Sequence, residues 1–232
     1  MQDFTLLFMA AGTGSRLGAD RPKQFLPLGE ETVLTHSLRL AASFAEVKEV
    51  VVVANPDYME ETRRQVESLG LTQPTAIVPG GDLRQDSVRL GLAACHCPMI
   101  LLHEAARPFV RRADFRRMLD YEDNNCTYAS PVPFTVLEGA EHIERLLDRN
   151  RLWNVQLPQK FEREALTRAH AIAHEKGLVF TDDSGVLFSC LGISSRIVPG
   201  SLDNVKVTTA MDYATALQIW PEWIRGDRED EE

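Results

Sequence analysis

The glycine-rich stretch near the start of this 232-residue chain lacks the Gly-Lys-Ser/Thr ending of a Walker phosphate loop, which excludes that class. It also lacks the third glycine of the dinucleotide fingerprint, where Leu17 stands. Cysteine is scarce. Cys95, Cys97, Cys126 and Cys190 show no framework spacing, and Cys95-His96-Cys97 is too tight for the usual zinc knuckle, so reduced thiols are expected. Positive charge is in deficit: 25 Lys and Arg against 34 Asp and Glu give a formal net charge of −9. Such a field does not draw in nucleic acid or an anionic membrane, so any bound anion must be met by local basic residues. No run is long and apolar enough to span a bilayer, and Met1-Gln2-Asp3-Phe4 lacks a basic signal start. A cytoplasmic protein with no nucleic-acid or membrane partner is expected. Neither a Ser-His-Asp nor a Cys-His nucleophile arrangement is apparent, and no internal repeat is found.

What is present begins at residues 10–23, Ala10-Ala11-Gly12-Thr13-Gly14-Ser15-Arg16-Leu17-Gly18-Ala19-Asp20-Arg21-Pro22-Lys23, directly after the apolar run 5–9. Gly12 and Gly14 have no Cβ, so the backbone can turn tightly and present N–H groups to phosphate oxygens. Arg16 offers a planar fork and Lys23 a mobile point charge. Pro22 fixes the chain ahead of Lys23 and helps aim it. The pattern suits a nucleoside triphosphate.

Apolar runs recur at residues 6–9, 50–54, 75–78, 99–103 and 128–132, separated by amphipathic stretches at 33–42, 57–69, 86–94 and 113–121. Val50-Val51-Val52-Val53 is apolar without alternation, as a strand covered on both faces is. Strand and helix in turn predict an α/β fold with a doubly wound, mostly parallel, Rossmann-like sheet. Ligands of such sheets bind beyond the carboxyl ends of the strands. The glycine loop, Gly80-Gly81-Asp82 and His103-Glu104 all fall there. Between about 133 and 151 the rhythm breaks, which predicts an excursion from the sheet. Helices are expected at 162–176 and 183–191, the second after the capping residues Thr181-Asp182-Asp183-Ser184. A short strand at 203–208 and a final helix at 210–219 follow. Residues 1–226 read as one domain and 227–232 as a disordered acidic tail. His170 and His174 read as an exposed helix face rather than a metal pair, and Trp153, Trp220 and Trp223 as packing residues.

Four segments point to one site: the glycine loop, Gly80-Gly81-Asp82-Leu83-Arg84-Gln85-Asp86-Ser87, His103-Glu104-Ala105-Ala106-Arg107-Pro108, and Asp203-Asn204-Val205-Lys206-Val207-Thr208. With Asp148-Arg149-Asn150-Arg151-Leu152-Trp153 and Pro158-Gln159, they resemble the 2-C-methyl-D-erythritol 4-phosphate cytidylyltransferases of isoprenoid biosynthesis. The resemblance runs from about residue 6 to 217. Ribitol 5-phosphate cytidylyltransferases share the first, second and last of the four. The resemblance implies a nucleotidyltransferase that moves CMP from CTP to a small phosphorylated polyol, with Mg2+ as cofactor. Residue chemistry agrees: a phosphate monoester, with a second pKa of about 6, is already a nucleophile. Its reaction needs charge neutralisation and in-line positioning.

By resemblance, Ala10, Ala11 and Gly12 line the nucleotide loop, and Arg16 and Lys23 neutralise the triphosphate. Gly81, Asp82, Arg84 and Ser87 frame the cytosine and ribose. Arg107 and Lys206 meet the incoming phosphate. Glu104 takes the metal-ligand place, supported by Asp203. Thr135 and Arg149 match residues that reach across from a partner subunit, which makes 133–151 the interlocking arm of a homodimer with composite sites. Taken singly, Arg84 also reads as a solvated helix start, Asp82 as an N-cap, Lys206 as a surface lysine and Arg149 as half of a surface pair with Asp148. Three departures stand out. Glu104 replaces an aspartate, Pro131-Val132-Pro133-Phe134-Thr135-Val136-Leu137 keeps the threonine but loses two charges, and Leu157-Pro158-Gln159 loses a hydroxyl. Three readings stay open on the sequence: the erythritol-phosphate enzyme, an enzyme for another polyol or sugar phosphate, and a nucleotide-binding homologue with weak turnover.

Overall fold

The computed structural model describes residues 2–14 and 21–229, with side chains to residue 226. Among the described residues there are eleven strands: β1 (Phe4–Ala10), β2 (Pro27–Leu28), β3 (Glu31–Thr32), β4 (Val47–Ala54), β5 (Thr75–Pro79), β6 (Met99–Glu104), β7 (Cys126–Pro131), β8 (Val136–Gly139), β9 (Ile143–Leu147), β10 (Trp153–Glu162) and β11 (Arg196–Pro199). The helices are α1 (Val33–Ala42), α2 (Met59–Ser68), α3 (Arg84–Leu92), α4 (Arg112–Asp120), α5 (Arg163–Glu175), α6 (Asp183–Leu191) and α7 (Ala210–Glu229).

Seven strands make the main sheet, in the order β11-β7-β10-β6-β1-β4-β5. All are parallel except β10, which runs antiparallel to both β6 and β7. All seven residues of β1 are buried, because β4 and β6 flank it and helices cover both faces. On one face Leu6 and Phe8 pack with Leu34 and Leu38 of α1, Val66 of α2 and Phe115 of α4. On the other, Leu7 and Met9 pack with Val88 of α3, Leu166 of α5 and Leu187 of α6. The expected doubly wound sheet is therefore present.

Local chemistry sets the element ends. Thr32 and Thr35 cap the start of α1 reciprocally. Asp182 caps α6 through Gly185 N–H, and Gly192, at φ 69°, ends it. Four differences from the sequence reading have physical causes. Residues 203–208 form no strand. Val205 and Val207 alternate inward against Phe109 and Trp223, which mimics a strand, but among the described residues no strand pairs with them. β10 escapes the apolar pattern because its buried positions include Gln156, Gln159 and Lys160, each hydrogen-bonded inside the fold. α7 passes through Pro221 and runs well beyond residue 219, held by Trp220 and Trp223, which stack at 5.7 Å and meet the His36 ring edge-on. Finally, His170 is fully buried and not on an exposed face, while His174 is exposed.

Candidate active site

The carboxyl ends of β1, β4, β5 and β6 open on one cavity of about 580 Å³, within the range of small-molecule sites. Ala10 ends β1 and Ala11–Thr13 follow it, Asn55–Asp57 follow β4, Gly80–Arg84 follow β5, and Glu104 ends β6, with Ala105 and Ala106 next. Lys23, Gln24, Ser87 and Lys206 complete the lining. The two glycine-bearing loops meet closely. A Cβ on Gly80 would lie 2.5 Å from the Ala11 Cβ and 2.8 Å from Ser87 Oγ, so only glycine allows the contact. Gly14 sits at φ +70°, where a Cβ would lie 3.0 Å from the Lys23 backbone nitrogen. Gly81 N–H donates to Ser87 Oγ at 3.1 Å. The first turn of α3 has no side-chain cap and opens on the lining, leaving backbone N–H groups for a ligand.

The charges here are paired. Lys23, nearly buried, donates from Nζ to the Val207 carbonyl at 2.8 Å. Lys206 Nζ donates to Glu104 Oε2 at 2.7 Å, and Arg107 Nε to Glu104 Oε1 at 2.9 Å. Burial alone would raise the Glu104 carboxyl, but Lys206 and Arg107 outweigh it and hold it at about 2. Its neighbour His103 goes the other way. Burial among Phe8 and Phe115 lowers it to about 3, so the imidazole is neutral. Arg84 Nη2 donates to Asp183 Oδ2 at 2.6 Å.

Of the residues singled out from the sequence, Ala10, Ala11, Gly12, Lys23, Gly81, Asp82, Arg84, Ser87, Glu104 and Lys206 all line this cavity. Arg84 is ion-paired rather than solvated, Asp82 is not the cap of α3, and Lys206 is paired with Glu104 rather than free on a surface. Arg107 is not part of the lining. It sits behind Glu104, with Nη1 on the Asn204 carbonyl and Nη2 on that of Val155. Asp203 is exposed and likewise not brought to the cavity. Thr135 and Arg149 lie on the exposed arm, where Arg149 Nη1 donates to the Pro133 carbonyl at 3.1 Å. Arg16 lies outside the described residues. The sequence reading missed Gln24, whose amide donates to the Ala10 carbonyl at 2.8 Å, and Asn55 and Asp57 beyond β4. The strand-end rule that flagged Gly80 points to Asn55 as well.

A doubly wound sheet whose strand ends gather lysines, an arginine and a buried carboxylate around two glycine loops is the arrangement of a nucleotidyltransferase. A sequence profile described as IspD, 2-C-methyl-D-erythritol 4-phosphate cytidylyltransferase, matches residues 4–221. The enzyme of that name from Pelotomaculum thermopropionicum is 38% identical over 223 residues, covering 93% of each chain. The crystal structure of the Thermus thermophilus enzyme aligns with a TM-score of 0.71 at 29% identity, over 95% of this chain and 100% of that one. The 4-diphosphocytidyl-2C-methyl-D-erythritol synthase of Anaerococcus prevotii shares the fold, with a TM-score of 0.83 at 22% identity over 95% of this chain and 96% of that one. The chain belongs to the IspD family of cytidylyltransferases.

Proposed function

We propose that this chain transfers CMP from CTP to 2-C-methyl-D-erythritol 4-phosphate and releases pyrophosphate. The observation that carries the proposal is the convergence of Lys23, Arg84, Lys206 and Glu104 with two glycine loops on one cavity at the strand ends. The acceptor's phosphate is the nucleophile. One of its oxygens bonds to the α-phosphorus of CTP, the α–β bridging bond breaks, and pyrophosphate leaves with the electron pair. A dianionic phosphate, with its second pKa of about 6, needs no general base. The protein's part is to hold two polyanions in line and to neutralise charge with groups already in place. Lys23 and Lys206 rest on protein oxygens beside the cavity, and phosphate oxygens replace those partners. Arg16 adds its fork from the glycine loop.

The donor set suits a magnesium ion held mainly by the nucleotide. Magnesium takes one or two carboxylates with phosphate oxygens and waters, and Glu104 presents one ionised carboxylate to the cavity. Asp203, exposed and away from the lining, is not needed for that set. Bound magnesium supplies charge neutralisation across the phosphates.

The arm carries Phe134, Leu137, Ile143 and Leu146 largely exposed. A second copy of the chain is a natural cover for them, and the proposed homodimer puts Thr135 and Arg149 beside the partner's acceptor. Arg107 serves the acceptor end by holding Asn204 and Glu104 in place. The cytoplasm, whose reducing conditions suit four free cysteines, is the proposed location. Purified protein with magnesium, CTP and either 2-C-methyl-D-erythritol 4-phosphate or ribitol 5-phosphate tests the reading through pyrophosphate release. Release with the first acceptor and little with the second is expected. Preference for ribitol 5-phosphate, or release with neither, overturns it.

A further inference from the structure

Behind the cavity wall lies a buried polar group that the transfer reaction does not use. Asp183, the first residue of α6, is 1% exposed and accepts from two directions. Arg84 Nη2 donates to its Oδ2 at 2.6 Å, and His170 Nε2 to its Oδ1 at 3.0 Å. His170, on α5, is fully buried. Arg84 alone reaches out of the group: it is 30% exposed and lines the nucleotide cavity. Among the described residues, its Nε and Nη1 carry no hydrogen bond, which leaves these donors for a ligand of the cavity that Arg84 lines.

A carboxylate buried to this degree is costly unless its charge is met with good geometry. Burial alone would raise the Asp183 carboxyl, yet Arg84 and His170 together hold it at about 2. It is therefore a fixed anion at the working pH. A second contact joins α3 to residues 178–180 without it. Gln85 supplies that stitch, its amide donating to the Leu178 carbonyl at 2.9 Å while its oxygen accepts from Phe180 N–H at 2.7 Å. An arginine side chain left unpaired at a cavity rim samples many rotamers, and ordering it on binding costs affinity. One held through a single nitrogen presents its remaining donors in a fixed plane.

We propose that Asp183, oriented by His170, is a positioning residue that sets the Arg84 guanidinium for the nucleotide. The proposal rests on the reading of the cavity as a CTP site. Calorimetry of CTP with magnesium separates the two ideas, because it does not depend on turnover. Wild-type protein that fails to bind CTP defeats the functional reading itself. With wild-type binding established, Asp183→Asn is expected to weaken CTP about 10-fold, the scale of a charged hydrogen bond, with kcat at saturating CTP changed less than KM. In the Arg84→Ala background the same change is expected to add nothing, since Asp183 acts through that side chain. His170→Leu, which keeps the packing and frees Oδ1, is expected to weaken CTP by a smaller factor. Gln85→Leu is expected to lower the thermal midpoint and leave CTP affinity unchanged. Unaltered affinity in folded Asp183→Asn, or full additivity with Arg84→Ala, overturns the proposal. So does an equal loss of affinity in Gln85→Leu, which would reduce Asp183 to packing. If Asp183→Asn does not fold, unaltered affinity in His170→Leu overturns it instead.

Discussion

Along the wall of the cavity each described cation meets an oxygen of its own chain: Lys23 the Val207 carbonyl, Lys206 the Glu104 carboxylate, Arg84 the Asp183 carboxylate. Along the arm the side chains turn outward. Phe134 is 76% exposed and Ile143 71%, and the Arg145–Glu138 pair across the β8–β9 hairpin is itself exposed. The cavity wall is preorganised by the core of one chain. The arm has its hairpin and little else, so its apolar residues gain burial only from something outside the fold. The proposed nucleotide half of the site thus sits on strand ends, and the proposed acceptor half on an arm that this chain leaves exposed.

Removing a cavity cation is the strongest way to stress that contrast. Lys23→Ala and Lys206→Ala are each expected to lower kcat by about 100- to 1000-fold, the scale of a lost charge-stabilising donor, roughly 3–4 kcal/mol. Circular dichroism is expected to show the fold kept, because both side chains end at the cavity. Near-normal kcat in both variants would mean that the cations serve structure only.

The second expected effect concerns pH. The folded Asp183 carboxyl is lowered from 3.8 to about 2, so at neutral pH its charge adds to stability. The contribution is fully present above the unfolded value and lost as pH falls through the folded one. The size is about 2 kcal/mol from the shift. The denaturant midpoints of wild type and Asp183→Asn are expected to differ from pH 7 down to about 4 and to converge toward pH 2. A gap that persists at pH 2 would show that the loss is packing rather than charge.

The smallest effect on the fold is expected from the arm. Phe134→Asp combined with Ile143→Asp removes no core contact, and exposed substitutions of this kind change stability by within about 0.5 kcal/mol. Sedimentation is expected to shift from dimer to monomer with the thermal midpoint of the isolated fold unchanged. A monomeric wild type, or a dimer indifferent to the two changes, would break the proposed role of the arm.

The two regions were unequally legible in the sequence. The unbroken Val50–Val53 run marks a strand covered on both faces, and the positions of the glycine loops and Glu104 after such runs mark the place of the cavity. Chemistry that depends on distant pairing was not legible. Arg84 and Asp183 lie 99 residues apart, and nothing local to either signals the other. Arg107, three residues after Glu104 on a loop, can face the cavity or turn inward, and only the positions of Asn204 and Val155 decide that it turns inward. β10 carries buried glutamines and a lysine whose partners come from β7, the cap of α6 and the end of α4, so it lacks the apolar run that marks the other strands. In the arm, alternation was weak because no face of the hairpin is buried within the chain.

The division of labour between wall and arm is tested most directly by steady-state kinetics on Arg84→Ala and Arg149→Ala side by side. Arg84 lines the cavity, while Arg149 sits at the base of the arm. Arg84→Ala is expected to raise KM for CTP about 10-fold and leave KM for the erythritol phosphate unchanged, and Arg149→Ala to do the reverse, each on the scale of a charged hydrogen bond. Two variants that raise the same Michaelis constant would contradict the account.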